Sequence, residues 1–215
     1  MPRIRRLVVD PQSPDAQVLG PAADTIRGGG VVAIPTDTFY ALAVDPFNRA
    51  AVARIFSVKQ RGADRAVPLV AADVDQVRRW LGGGLAPIGA RLAERFWPGQ
   101  LTLLVPAPSS LAAEVTRGTG KVGVRVPAHK VTRAVCELCG RPLTATSANV
   151  SGQPATDEPD DVEASIGSRI DMLVDAGRTA GGPASTIVDV TGDEALLVRS
   201  GAVSWEDVQR CLSLV

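Results

Sequence analysis

Short apolar runs alternate along this chain with stretches whose apolar residues recur at helical spacing, and that alternation restricts the fold more than any other feature. Val31 to Ile34, residues 66–71, Leu101 to Val105, Val122 to Val126 and Leu143 to Thr146 read as strands, as do 171–174, 185–190 and 195–199. Between them, Val52, Ile55 and Phe56 mark a helix over 49–58, and Asp73 can cap a helix carrying Val74, Val77, Trp80 and Leu81. Ile88, Leu92 and Phe96 share one face of another helix that Pro98-Gly99 stops. Residues 21–28 read as a short helix closed by Gly28-Gly29-Gly30, 161–167 as a second, and Ser204 with Asp207 as a capping box opening a last helix to Leu212. The pattern predicts an α/β (α+β) domain.

A chain of 215 residues can bury its core without disulfides, and the expectation is one compact domain over 1–215. Lys plus Arg and Asp plus Glu number 23 each, so bulk attraction to nucleic acid is not indicated, while a local basic cleft stays open. No stretch approaches the roughly 20 apolar residues that span a bilayer. No long apolar run follows the basic start Arg3-Ile4-Arg5-Arg6, so no secretory signal is expected and the expected location is cytoplasmic. Cys136 and Cys139 form a C-x-x-C pair that, with Cys211 and His129, makes four zinc ligands on paper. Their i, i+3 spacing beside Val131, Val135 and Leu138 favours small buried residues on one helix face instead.

Three polar signatures stand out. Pro35-Thr36-Asp37-Thr38-Phe39-Tyr40 follows a strand; its hydroxyls both donate and accept, which suits an amino or carboxylate group, and an ordinary helix-capping turn has the same composition. Lys59 and Arg61 lie just past a helix and supply a compact charge and a planar fork, both suited to phosphate oxygens, or to a solvated surface. Ser147-Ala148-Asn149-Val150-Ser151-Gly152 is a hydroxyl- and amide-rich loop after a strand, a frequent ligand position in α/β sheets and also a plain polar turn. Neither glycine triplet has Walker-A spacing, no G-x-G-x-x-G opens a helix, and no G-x-S-x-G is present. His129, the one histidine, is assigned a packing or loop role.

Together these segments resemble the YrdC/Sua5 family, whose members carry a P-T-D-T-x-Y-G-L-like strand end, a K-x-R pair and an S-x-N-x-S-G loop. Further similar stretches are Phe96-Trp97-Pro98-Gly99-Gln100-Leu101-Thr102, Val124-Arg125-Val126-Pro127, Ser185-Thr186-Ile187-Val188-Asp189 and Val198-Arg199-Ser200-Gly201. Ala41 stands where the family commonly has glycine, and Ser200 where proline is common. The resemblance implies an open, twisted mixed sheet flanked by helices around a large concave cleft, with the core over about 15–205 and without the C-terminal domain of the longer Sua5 members.

The implied activity is that of a nucleotidyltransferase, an L-threonylcarbamoyladenylate synthase: L-threonine, bicarbonate or carbon dioxide and ATP give threonylcarbamoyl-AMP and pyrophosphate. The product feeds threonylcarbamoylation of tRNA (t6A) through a separate tRNA-threonylcarbamoyl transferase complex. On that reading Lys59 and Arg61 are the catalytic cations on phosphate and carbamate. Ser147, Asn149 and Arg199 hold the phosphates, Ser185 lines the nucleotide pocket, and Thr36 and Tyr40 orient the threonine. Mg2+ arrives with ATP and no protein cage for it is expected. Alanine at Lys59 or Arg61 is expected to abolish turnover with the fold intact. The alternatives are a YciO-like paralogue with another substrate and a module binding RNA or tRNA through the same cleft.

Overall fold

Strands of two to six residues cannot bury themselves alone, and this chain gathers its strands into two mixed sheets packed among helices. The computed structural model describes residues 4–60, 66–81 and 84–213. In chain order the strands are β1 (Arg5–Val8), β2 (Val32–Ile34), β3 (Ala41–Ala43), β4 (Leu69–Val70), β5 (Leu101–Pro106), β6 (Lys121–Arg125), β7 (Leu143–Thr144), β8 (Thr146–Ser147), β9 (Met172–Asp175), β10 (Thr186–Asp189) and β11 (Leu196–Arg199). The helices are α1 (Ala16–Arg27), α2 (Arg49–Val58), α3 (Val74–Trp80), α4 (Pro87–Phe96), α5 (Ala113–Thr116), α6 (Lys130–Cys139), α7 (Pro159–Ile166) and α8 (Trp205–Ser213).

The first sheet runs β1-β9-β2-β3-β8 and the second β11-β10-β5-β6-β4-β7. The expected mixed sheet flanked by helices is therefore present, resolved into two. One strand run joins them. Leu143 and Thr144 pair antiparallel with β4 in the second sheet, and Thr146 and Ser147 pair antiparallel with β3 in the first. Ala145, between them, donates its N–H to Pro68 O (2.8 Å), while Thr144 N donates to Val44 O (3.1 Å). Thr144 Oγ1 accepts from Val44 N (2.9 Å) and donates to Leu42 O (3.2 Å). Backbone groups that a change of sheet would otherwise orphan are thus paired, as buried groups must be.

Both faces of the central strands are covered, which is why they read as unbroken apolar runs. In β2, Val32 and Ile34 enter a core with Leu19 and Ile26 of α1 and Val131 and Val135 of α6. Ala33 and neighbouring Val31 point to the other core, with Val52 and Ile55 of α2 and Leu69 of β4. Successive residues of a strand face opposite ways, so one strand can serve two cores.

Three elements differ from expectation. Helix α1 starts at Ala16, where Asp15 caps it by accepting from Gln17 N, and runs through Pro21. Burial of Leu19, Ala22, Ala23 and Ile26 outweighs the missing proline donor. Strand β1 was hidden by its charge: Arg6 forms ion pairs with Asp160, Glu163 and Asp175 while the strand pairs parallel with β9. Strand β3 is Ala-Leu-Ala, a composition with little strand preference, and tertiary pairing creates it.

Cys136 and Cys139 are buried on one face of α6, as their spacing predicted. Burial raises the pKa of both thiols, that of Cys139 to about 11. A thiol reagent at about pH 8, where only thiolate reacts, should therefore modify the partly exposed Cys211 and spare the pair until the protein is unfolded. Rapid labelling of Cys136 or Cys139 in folded protein, read by peptide mass spectrometry, would contradict this placement.

Candidate functional site

The loop leaving β2 is organised by its own hydroxyls. Thr36 Oγ1 accepts from Thr38 N (3.2 Å) and donates to Phe39 O (2.7 Å), a local side-chain turn. Thr38 O accepts from Gly181 N and Thr179 Oγ1, each at 2.7 Å, which pins the loop against the segment before β10. These bonds fold Thr36, Thr38 and Tyr40 toward a cavity of about 370 Å³ in the crease between the sheets. Ala41 and Ser147 line it from the first sheet, and Thr102, Arg125 and Arg199 from the second, with Ser185 just ahead of β10. The methyl group of Ala41 occupies the wall where a glycine would leave bare backbone.

Five expected residues, Thr36, Tyr40, Ser147, Ser185 and Arg199, thus share one cavity. Arg61 lies outside the described residues. Lys59 and Asn149 are not in that lining and meet it through Ser147. Lys59 is only 2% exposed. Its Nζ donates to Ser147 O (2.6 Å), Asn149 O (3.0 Å) and Asn149 Oδ1 (2.9 Å), with Ser147 Oγ at 3.3 Å. Asn149 Oδ1 also accepts from Ser147 Oγ (2.6 Å), and Asn149 Nδ2 donates to Gln153 O (2.5 Å). The ammonium thus ties the Ser-Ala-Asn loop to the end of α2.

Tyr40 is among the lining residues, and its hydroxyl donates to Gly177 O (2.7 Å) and accepts from Ala176 N (3.2 Å). Burial raises its pKa well above the ordinary tyrosine range, so it stays a neutral donor fixed to backbone.

Sequence reasoning missed Arg125 as a site residue. The guanidinium pairs with Asp37 and is 9% exposed at the side chain, yet the residue lines the cavity. The signal was an arginine inside an apolar strand, because a buried charge needs a partner and a reason. Arg199 stands at the exposed rim and donates to Ser185 O (Nη2, 2.7 Å) and Ser185 Oγ (3.2 Å). Ser185 Oγ also pairs with Thr102 Oγ1 at 2.8 Å. Gly201 permits this arrangement: a Cβ there would lie 2.2 Å from Ala184 O, so the Arg199 strand end can lie against the backbone carrying Ser185 only without a side chain.

Burial, and then the nearby charge of Arg125, lower the Arg199 pKa from its usual value. Two like charges therefore share one hollow, and the lining holds no cysteine, histidine, aspartate or glutamate among the described residues. Such a site attracts anions, and its described lining gives the Ser and Thr hydroxyls no histidine or carboxylate base to activate them as nucleophiles. His129 precedes α6 near Asp37; burial lowers its pKa against the opposing pull of Asp37, leaving it neutral near pH 7.

The sequence model of the Sua5/YciO/YrdC family, described as telomere recombination, matches residues 24–201. The threonylcarbamoyl-AMP synthase of Pyrococcus abyssi is 36% identical over 191 residues, 89% of this chain and 56% of that protein. The chain thus spans little more than half of that relative. The threonylcarbamoyl-AMP synthase of Marinobacter nauticus is 39% identical over 189 residues, 87% of this chain and 99% of that one. The crystal structure of P. abyssi Sua5 complexed with L-threonine superposes with a TM-score of 0.89 at 33% identity, covering 98% of this chain and 61% of that one.

Replacing Lys59 by alanine removes the donor for three buried acceptors. Ser147 O keeps Asn149 N (3.0 Å) and Asn149 Oδ1 keeps Ser147 Oγ (2.6 Å), while Asn149 O loses its Lys59 donor; an orphaned buried group costs about 1–3 kcal/mol, so the variant should lose about that much unfolding free energy in urea titration. This revises the expectation of an intact fold. A Lys59→Ala variant as stable as the parent would contradict the clamp.

Proposed function

Because the chain belongs to the Sua5/YciO/YrdC family, we propose that it is a nucleotidyltransferase that joins L-threonine, bicarbonate or carbon dioxide and ATP into L-threonylcarbamoyladenylate. The observation that carries this reading is the cavity whose lining, among the described residues, holds the two guanidiniums of Arg125 and Arg199, a set of hydroxyls and no carboxylate. Relatives at 36% and 39% identity bear the name of that synthase, which favours it over a paralogue with another substrate.

The chemistry needs no protein nucleophile. The threonine amine adds to carbon dioxide and loses a proton, giving a carbamate; from bicarbonate a water also leaves. A carbamate oxygen attacks the α-phosphorus of ATP, the bond to the β-phosphate oxygen breaks, and pyrophosphate departs. The enzyme must bring anions together and keep water from a labile mixed anhydride. Orientation of the two reactants supplies up to about 7–11 kcal/mol of the barrier, and cations aimed at the developing charge add to it.

Depth assigns the two arginines. Arg125 is buried, and hydroxyl-bearing Thr36, Thr102 and Ser185 share its cavity, which suits the carboxylate of a small amino acid. Arg199 is at the rim, where the larger nucleotide can lay its phosphates, with Ser147 on the facing wall. Lys59 and Asn149 act through Ser147, whose carbonyl and hydroxyl they hold. Arg61 keeps the phosphate role that its motif implies. Mg2+ enters as part of the ATP substrate and screens the triphosphate. The chain's own contribution in this reading is charge from arginine. The product would pass to a tRNA-threonylcarbamoyl transferase complex in the cytoplasm.

Mass spectrometry of a reaction containing ATP, bicarbonate and labelled threonine should show labelled threonylcarbamoyl-AMP, and carbamoyl phosphate should not replace threonine. Arg125→Ala should raise the threonine KM and Arg199→Ala the ATP KM, each about tenfold or more, the loss expected for a charge-assisted hydrogen bond. Absence of the labelled product from wild-type protein would sink the reading.

A further inference from the structure

Asp37 does not line the cavity, yet it touches three parts of the fold that build it. One carboxylate oxygen, Oδ1, accepts from Arg125 Nη1, and the other, Oδ2, accepts from Ala128 N at 3.1 Å, next to the start of α6. The backbone carbonyl of Asp37 accepts from Gln100 Nε2 at 2.9 Å, just ahead of β5. On either side in sequence, Thr36 and Thr38 enter the lining. The side chains of Asp37 and Arg125 are each 9% exposed.

That geometry answers a physical problem set by the cavity. Arg199 presses a like charge toward Arg125 from the same lining; burial first, and then that charge, lower the Arg199 pKa. A buried guanidinium without an anion would swing away from its neighbour or toward water. Asp37 holds one nitrogen of Arg125 from behind, and the guanidinium is planar and rigid, so fixing one edge aims the others. The carboxylate cancels the Arg125 charge, which leaves that guanidinium to offer its remaining N–H donors to a substrate carboxylate and leaves Arg199, among the described residues of the lining, as the uncompensated cation for phosphates.

We propose that Asp37 is a positioning residue for the amino-acid substrate: it aims the Arg125 guanidinium so that its remaining N–H groups meet the substrate carboxylate. The assignment rests on the threonine reading of the cavity given above. It distinguishes the two substrates, because among the described residues Asp37 bonds to Arg125, Ala128 and Gln100 and to neither Arg199 nor Ser147, and so acts on the amino-acid side.

Steady-state kinetics of Asp37→Asn test it. Asparagine keeps the shape but cannot accept from both Arg125 and Ala128, so the threonine KM should rise about tenfold while the ATP KM moves less than about threefold. In an Arg125→Ala background the same substitution should raise the threonine KM no further, since a residue acting through another adds nothing once that other is gone. Asp37→Glu keeps the charge and displaces it; it decides the matter if the asparagine variant does not fold, and should show the same split between substrates. Equal rises in both KM values, an additive effect on the Arg125→Ala background, or an unshifted threonine KM would overturn the proposal. Wild-type enzyme is the control: without threonine-dependent product from it the functional reading itself fails, whereas normal wild-type turnover with an unshifted Asp37 variant removes Asp37 alone.

Discussion

A buried ammonium group holds the seam on which the site depends. Lys59 caps the C-terminal end of α2, where the partial negative charge of the helix end favours a cation. From there its Nζ reaches the backbone of Ser147 and Asn149, just beyond the run that crosses from the second sheet to the first. Taking a charge out of water costs several kcal/mol, and the carbonyls and the amide oxygen around Nζ offset it only in this one arrangement of the loop. The clamp therefore favours the loop arrangement that keeps these acceptors around the charge. Ser147 faces the cavity because of it.

The cavity itself is a controlled imbalance of charge. Arg125 is neutralised from behind by Asp37, while Arg199 is held by the carbonyl and hydroxyl of Ser185 and has no carboxylate partner among the described residues. Hydroxyls of Thr36, Thr102 and Ser147 fill the wall between with groups that can donate or accept. Neither arginine would serve if mobile. One is set by an ion pair across the two sheets, the other by a close approach that Gly201 makes sterically feasible.

Much of this was legible in the sequence, and the failures are instructive. Buried strands read correctly where both faces are apolar, as in Val32–Ile34 and Leu101–Pro106. Arg5–Val8 and Ala41–Ala43 did not, because ion pairs and neighbouring strands, rather than intrinsic preference, stabilise them. The motif residues converge, yet a motif reports that side chains matter and not which way they face. Lys59, Asn149 and the Tyr40 hydroxyl point into the protein, where they order the loops that carry Ser147 and Thr36. Arg125 went unassigned because a single charge in a strand has no local partner in sequence; Asp37 is 88 residues away.

A crystal structure with L-threonine and a non-hydrolysable ATP analogue tests the central claim most directly. The account predicts the threonine carboxylate on Arg125, the α-phosphate between Arg199 and Ser147, and Lys59 Nζ still bound to the carbonyls of Ser147 and Asn149. Ligands seated outside the crease, or a Lys59 side chain swung onto the phosphates with the loop unchanged, would contradict it.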